Sequence, residues 1–422
     1  MKRFKEPLKT LLILLLTVSA VFLAWKGSLF SAFFPEKKGA VSPSPEVPEQ
    51  TYVPAALPLA ASVTGPGGLR CGVKYDDEAM AELFGGFSAI LSETLGSAEE
   101  PQVIGRFTWQ DRLREENLYL DYGFALPISA LAAWMGVGAD WAGAETGSAF
   151  LLDNGEGGSV RLSYRGGDGR YFQCATAASW ATLRALMEEY RPNGAVFAFE
   201  LPDLRDCDPC LLVLEQLPRV RGVRVSRDRG KAAEVMAELF GINLGGQSRY
   251  TEADGTTVYP GDSGVLRLWA DGSVSYSASD SGRRAVTSAD QIEEARRLLE
   301  SVHASFRGEE SLSLRSAEAD EAGDLSLSFV YVLGGLRLDA AGPAARAVWK
   351  NGMLSELTIR PRSCRLGDAV SQLLPELQAA AAAGSLRRGS APELVLPDTG
   401  EESQTPAWVV TVDGRDLWTQ ED

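Results

Sequence analysis

Two cysteines three positions apart, Cys207 and Cys210 in "CDPC", have the spacing of a redox or metal pair in this 422-residue sequence. The thiolate is the reactive form of cysteine, so redox chemistry wants the first thiol at a helix N-terminus, just after a strand, where its pKa falls. The pair lies between "FAFELPDLRD" and "LLVLEQLP", a context compatible with that placement. A structural zinc site needs four ligands, and the remaining candidates, Cys71, Cys174, Cys364 and His303, are scattered along the chain. The expected state of Cys207 and Cys210 is therefore a local disulfide or two inert thiols, with an extracytoplasmic thiol oxidoreductase as a further alternative.

A second candidate is "GDSGV", Gly261 to Val265, which resembles the surroundings of the nucleophile in chymotrypsin-like proteases. A serine nucleophile needs a base to take its proton and a third group to orient that base. The only histidine, His303, lies downstream of the serine, whereas that family places it upstream. A turn explains Asp262 and its glycines adequately. His303 itself, near a predicted helix end, reads as a surface or boundary residue. No P-loop spacing occurs, and "TGPGGLRCG" lacks the strand-then-helix context of a dinucleotide-binding turn. The tryptophans include Trp109, Trp134, Trp141 and Trp180, expected in the core or along a peptide- or glycan-binding groove. Carboxylates could form a glycosidase pair only if folding brings two together. The residues thus predict no catalytic, cofactor-binding or metal set, and a protein that is not an enzyme.

The bulk composition points the same way. A net charge of -16 repels nucleic acid and anionic headgroups, which argues against DNA, RNA and peripheral membrane binding. The one stretch suited to a bilayer is "KEPLKTLLILLLTVSAVFLAWKG", Lys5 to Gly27. Its uncharged part, Thr10 to Trp25, spans roughly 24 Å as a helix, short of the ~30 Å hydrocarbon core. Snorkelling of Lys9 and Lys26, or the apolar residues Leu29 to Phe34, closes that gap. A signal-peptidase site would fall at Val18-Ser19-Ala20, but Val21, Phe22 and Leu23 follow directly, which argues for a retained anchor. Lys2, Arg3, Lys5 and Lys9 place the N-terminus in the cytoplasm and the bulk outside. Thr17, Ala20, Ala24 and Gly27 share one face of this helix within roughly 80°, and small residues there admit a second helix.

These readings divide the chain into a cytoplasmic tail (1–9), a transmembrane anchor (10–34), a Pro-rich linker (35–68) and an ectodomain. The ectodomain is expected as an N-terminal α/β part (69–224), a second α+β module (225–302) and a C-terminal α+β module (303–422). Met80, Leu83, Phe84, Phe87, Leu91 and Leu95 recur at helical spacing after Asp76, a plausible N-cap. "SVRLSYRGGDGRYFQCAT" predicts a hairpin, "AASWATLRALMEEY" a helix, and Gly230–Phe240 another helix. Asp271-Gly272 and Asn351-Gly352 each suit a two-residue primed turn. A capping box from Ser288 to Gln291 opens a helix with Ile292, Ala295, Leu299 and Val302 on its apolar face. A last helix is expected to align Val370, Leu373, Leu374 and Leu377. Helices interleaved with hairpins imply an α+β fold of antiparallel sheets.

The opening "RFKEPLKTLLILLLTVSAVFLAW", then "CGVKYDDEAMAELFGGFSAILSETLGSA", "LYLDYGFALPISALAAWMG" and the closing "PAWVVTVDG" together resemble the YycH family. The five cysteines and the Gly- and Ala-rich insertions depart from that pattern. The resemblance implies a single-pass membrane protein with an extracytoplasmic ectodomain of helix-plus-sheet modules. It also implies a non-enzymatic regulator of the cell-wall sensor histidine kinase of low-GC Gram-positive bacteria, acting through transmembrane and ectodomain contacts beside a YycI-like sister protein. No cofactor is implied.

Overall fold

The computed structural model describes residues 52–419, apart from positions 205, 247, 280–283, 286, 321, 340–341, 387–388, 390 and 413–414. The tail, the anchor with Thr17, Ala20, Ala24 and Gly27, and residues 35–51 of the linker lie outside the described residues, whereas Ala60–Thr64, within the expected linker, is a buried strand. Among the described residues no helix is long and apolar enough to cross a membrane.

The first sheet is built from β1 (Ala60–Thr64), β2 (Arg70–Lys74), β3 (Gln102–Ile104), β4 (Asn117–Pro127), β5 (Thr146–Asn154), β6 (Ser159–Gly166) and β7 (Tyr171–Ser179). Its order is β2-β1-β4-β5-β6-β7-β3, antiparallel throughout. Helix α1 (Asp77–Ser97) begins where the sequence predicts, with Asp76 accepting the Ala79 N–H at 3.0 Å. All six of its predicted apolar positions are buried. Alternation along the strands sends Leu118, Leu120, Phe150 and Leu152 to the core shared with α1. Tyr119 and Leu151 face the other way, onto Trp109 and Leu113 of α2 (Arg106–Arg114). Both faces are covered, so the first four residues of β4 are all buried instead of alternating. Two short helices, α3 (Ile128–Trp134) and α4 (Trp180–Met187), complete this half.

A two-stranded ribbon, β8 (Val196–Phe197) with β9 (Leu212–Val213), leads to β10 (Arg221–Ser226) and α5 (Arg229–Phe240). Next come β11 (Tyr250–Thr251), β12 (Thr257–Pro260), β13 (Gly264–Leu268), β14 (Val274–Ala278) and α6 (Ser288–His303). The chain continues through β15 (Ser311–Ala319), β16 (Leu325–Leu333), β17 (Leu336–Asp339), β18 (Ala345–Lys350), β19 (Met353–Ile359) and β20 (Ser363–Val370). It closes with α7 (Glu376–Leu386), β21 (Glu393–Pro397), β22 (Ser403–Gln404), β23 (Ala407–Val412) and β24 (Arg415–Thr419). Among the described residues the second sheet has 12 strands, ordered β11-β12-β13-β14-β19-β18-β16-β17-β21-β23-β24, with β15 beside β16. Its one parallel pair is β17 with β21. The fold is α+β, with antiparallel sheets.

Long-range pairing joins the segments that the sequence separates. Strand β14 pairs with β19, so one sheet runs unbroken across position 302. Strand β10 pairs with β20 and β22, which ties residues around 224 to the C-terminal part. The buried faces of α1, α5 and α6 belong to one continuous hydrophobic cluster.

Local expectations fare unevenly. Asn351-Gly352 is the expected primed turn, with both residues at positive φ (51° and 74°) between the paired Lys350 and Met353. Asp271-Gly272 is not. Only Gly272 has positive φ, and the Gly272 N–H reaches the Trp269 carbonyl, so a tighter turn is extended by a glycine bulge. The Asp271 side chain explains this choice, because it accepts the Ser273 N–H at 2.9 Å. The capping box of α6 sits one residue earlier than expected: Thr287 and Asp290 exchange bonds of 3.1 Å in each direction. The expected helix through Val370 does not form. Val370 ends β20 opposite Arg221, and α7 starts only at Glu376. Pro375 disfavours helix at the residue before it, and the alanine run then buries Ala379, Ala380 and Ala383.

Candidate functional site

Cys207 and Cys210 are free thiols that face different parts of the interior. Cys207 packs with Leu204, Val213 and Ala380, and its Sγ donates to the Ala380 carbonyl of α7 at 3.0 Å. Cys210 lies instead among Trp109, Tyr119, Phe197 and Leu212. Burial pushes both thiols up, Cys210 to about 11. Such thiols stay protonated at neutral pH, the opposite of what a redox pair needs. Cys174 and Cys364 are likewise buried and pushed up to about 12. Among the described residues no group of His, Cys, Asp and Glu is placed to hold a metal ion.

The serine and the histidine are also engaged, and not with each other. Ser263 donates to the Phe240 carbonyl at the end of α5. His303, expected at the surface, is buried, with its Nε2 2.8 Å from Glu310 Oε1. The last turn of α6 faces inward, onto the rings of Phe306 and Tyr331. Glu310 also accepts the N–H groups of Gly308 (3.0 Å) and Cys364 (2.6 Å). Trp109 and Trp134 are core residues on opposite faces of the first sheet, and Trp141 and Trp180 are partly buried against the cluster that holds Trp134.

The structure assembles a polar cleft that no sequence motif announced. Asp121 on β4, Ser148 on β5, Arg165 on β6, and Asp208 and Cys210 of "CDPC" line a cavity of about 410 Å³. Through Asp121, Gly123 and Ala391 it adjoins a second cavity of about 210 Å³, bordered by Lys74, Arg315, Arg337 and Glu393. The cleft exists because β4 bulges: its pairing with β5 jumps from Asp121–Ala149 to Leu126–Gly147. Gly123, at φ 68°, turns the bulge, and a Cβ there would come within 2.9 Å of Leu59 Cδ1. A glycine in a strand pattern is a legible sign of a bulge. Nothing local tells that β15, the "CDPC" loop and residues 391–394 converge on it.

The electrostatics of the cleft are uneven. Arg165 and Asp208 form a 3.3 Å ion pair. Asp121 has no salt bridge among the described residues; its Oδ1 accepts the Gly123 N–H at 2.8 Å and its Oδ2 the Tyr119 hydroxyl at 3.0 Å. Burial, reinforced by the charge of Asp208, raises the Asp121 carboxyl above the usual carboxylate range. Arg315 has no ion-pair partner among the described residues either; its Nη1 donates to the Gly123 carbonyl at 3.4 Å. Nearby, Lys74 meets the fully buried Glu376 of α7 and donates to the Leu212 carbonyl at 2.9 Å. Burial alone would lower the Lys74 pKa, but the Glu376 charge outweighs it and holds the ammonium above its ordinary value. Glu376 also accepts the Leu214 N–H at 2.8 Å, so this pair pins β2, β9 and α7 together.

Compared with known proteins, the chain matches no protein-family model and no curated protein.

Proposed function

We propose that this chain is a single-pass protein of the cell envelope, with a cytoplasmic N-terminus, that acts without catalysis on a two-component sensor histidine kinase controlling cell-wall metabolism. The observation that carries this reading is the stretch Lys5–Gly27. It has an uncharged core bracketed by Lys9 and Lys26, a small-residue face at Thr17, Ala20, Ala24 and Gly27, and a Pro-rich spacer leading to a folded α+β body. The resemblance to the YycH family supplies the partners, a sensor kinase and a YycI-like sister protein. The engagement of Cys207, Cys210, Ser263 and His303 in packing and hydrogen bonds supports a non-enzymatic role.

A regulator of this kind biases one of two kinase states by touching them unequally, because equal affinity for both shifts nothing. The small-residue face provides one such contact, as close helix approach depends on the lack of bulk. Replacing Ala20 and Ala24 together by leucine is expected to change kinase autophosphorylation severalfold at unchanged protein level. Unaltered output from a normally abundant variant would count against the packing face. The polar cleft favours a second role for the body, as a tethered module that binds an envelope component.

A further inference from the structure

We infer that the cleft between the first sheet and β15 binds a short peptide with a free ammonium and a free carboxylate terminus. This deepens the reading above by naming the class of signal the ectodomain takes, and binding alone tests it. Two charged groups form no salt bridge among the described residues, and both address one residue. Asp121 takes the N–H of Gly123, and Arg315 takes its carbonyl. A carboxylate and a guanidinium thus flank a single glycine, whose positive φ turns the β4 bulge and sets both groups on the rim of the cleft. Asp121 offers its charge to an ammonium, and Arg315 offers a fork of donors to a carboxylate.

The other polar groups of the cleft do not compete for these roles. Arg165 and Asp208 neutralise each other, and Glu393 is held by Arg337 at 2.9 and 3.0 Å. Ala125, Leu211 and Ala391 supply small apolar contacts suited to short side chains. The lining around Asp121 and Arg165 includes no aromatic ring, and Tyr75, which borders the Arg315 side, already has the Lys74 ammonium over its ring at 4.8 Å. The cavity that both charges line, about 210 Å³, opens into the neighbouring one of about 410 Å³, and the pair reaches the ~300–1,000 Å³ range of small-ligand sites. The raised Asp121 carboxyl fits this assignment, since burial disfavours its charge and a ligand ammonium beside it would restore the balance.

The test is calorimetric titration of the full-length protein in detergent with alanylalanine, its N-acetyl derivative and its C-terminal amide. Alanylalanine is expected to bind with a Kd at or below about 1 mM. Each blocked form should bind at least roughly tenfold more weakly, the loss of one charge-assisted hydrogen bond. Asp121→Asn should abolish discrimination between the free and acetylated amine, and Arg315→Gln discrimination between the free acid and the amide. Arg315 is partly exposed on β15, so its variant reads the site without endangering the core. Absence of heat with alanylalanine and trialanine at about 10 mM, or equal binding of the blocked forms to wild type, overturns the inference. Neither result bears on kinase control through the membrane helix, which the Ala20 and Ala24 variant reads separately.

Discussion

Two kinds of carboxylate lie inside this protein, and their surroundings differ in a way that separates structure from function. Glu376 and Glu310 are filled. Glu376 meets Lys74 and the Leu214 N–H, and Glu310 meets His303 and two backbone N–H groups. Asp121 has two neutral donors and no salt bridge among the described residues, and it faces a cleft. A filled carboxylate holds segments of chain together, and its removal leaves donors stranded. An open one contributes little to the fold and keeps its charge available for a ligand. Substitution at the two kinds of site should therefore have opposite consequences.

The largest expected effect is at Glu376. Replacing it by glutamine removes the charge that compensates Lys74, whose side chain is 9% exposed while that of Glu376 is fully buried. Breaking a buried ion pair from one side costs about 3–5 kcal/mol, to be read as a shift in guanidinium unfolding. Lys74→Met combined with Glu376→Leu should recover most of the loss, because no buried charge then remains unpaired. A loss below about 1 kcal/mol for Glu376→Gln, the size of an exposed ion pair, would mean that water reaches the pair and that it belongs with Asp121.

Acid titration sharpens the contrast by sign. Burial would raise the Glu310 pKa, but His303 and the N–H groups of Cys364 and Gly308 outweigh it and hold the carboxyl below its usual 4.5. Its stabilising contribution is therefore present above that value and is lost as pH falls through the lowered folded-state pKa. Asp121 runs the other way, with a folded-state pKa above its usual 3.8. The folded protein holds that proton more tightly, so stability falls as pH rises from 3.8 through the raised pKa. The side chains around Glu310 include His303, Tyr331, Arg362 and Cys364, and only Glu310 is changed in the comparison. Denaturation midpoints of wild type and Glu310→Gln across about pH 3 to 7 should converge towards the acid end. Curves that stay parallel would show that Glu310 keeps an ordinary pKa.

The filled sites and the open one were unequally visible in the sequence. The start of α1 was legible because Asp76 caps it locally and the apolar positions recur at helical spacing. Asn351-Gly352 was legible for the same local reason, since both residues tolerate positive φ. Asp271-Gly272 misled because a side chain two residues from its target remade the turn. The spacing of Val370 to Leu377 misled because Pro375 and pairing with β10 outweighed periodicity. Neither Glu376 nor Asp121 carried a signal, since Lys74 lies 302 residues from Glu376 and the cleft gathers distant segments through strand pairing. Gly123 alone hinted at a bulge.

The smallest expected effect completes the comparison. Asparagine at position 121 keeps an acceptor for the Gly123 N–H and removes a charge whose burial is unfavourable. Asp121→Asn should therefore change stability by no more than ~0.5 kcal/mol, or raise it slightly at neutral pH, in a thermal melt of the full-length protein. Adding alanylalanine should then raise the wild-type midpoint and leave the variant nearly unmoved, because a ligand stabilises only the protein that binds it. If Asp121→Asn instead loses as much as Glu376→Gln, the carboxylate on β4 is another structural clamp. The difference between the two sites would then be one of position alone, and the cleft would have no charge to offer a ligand.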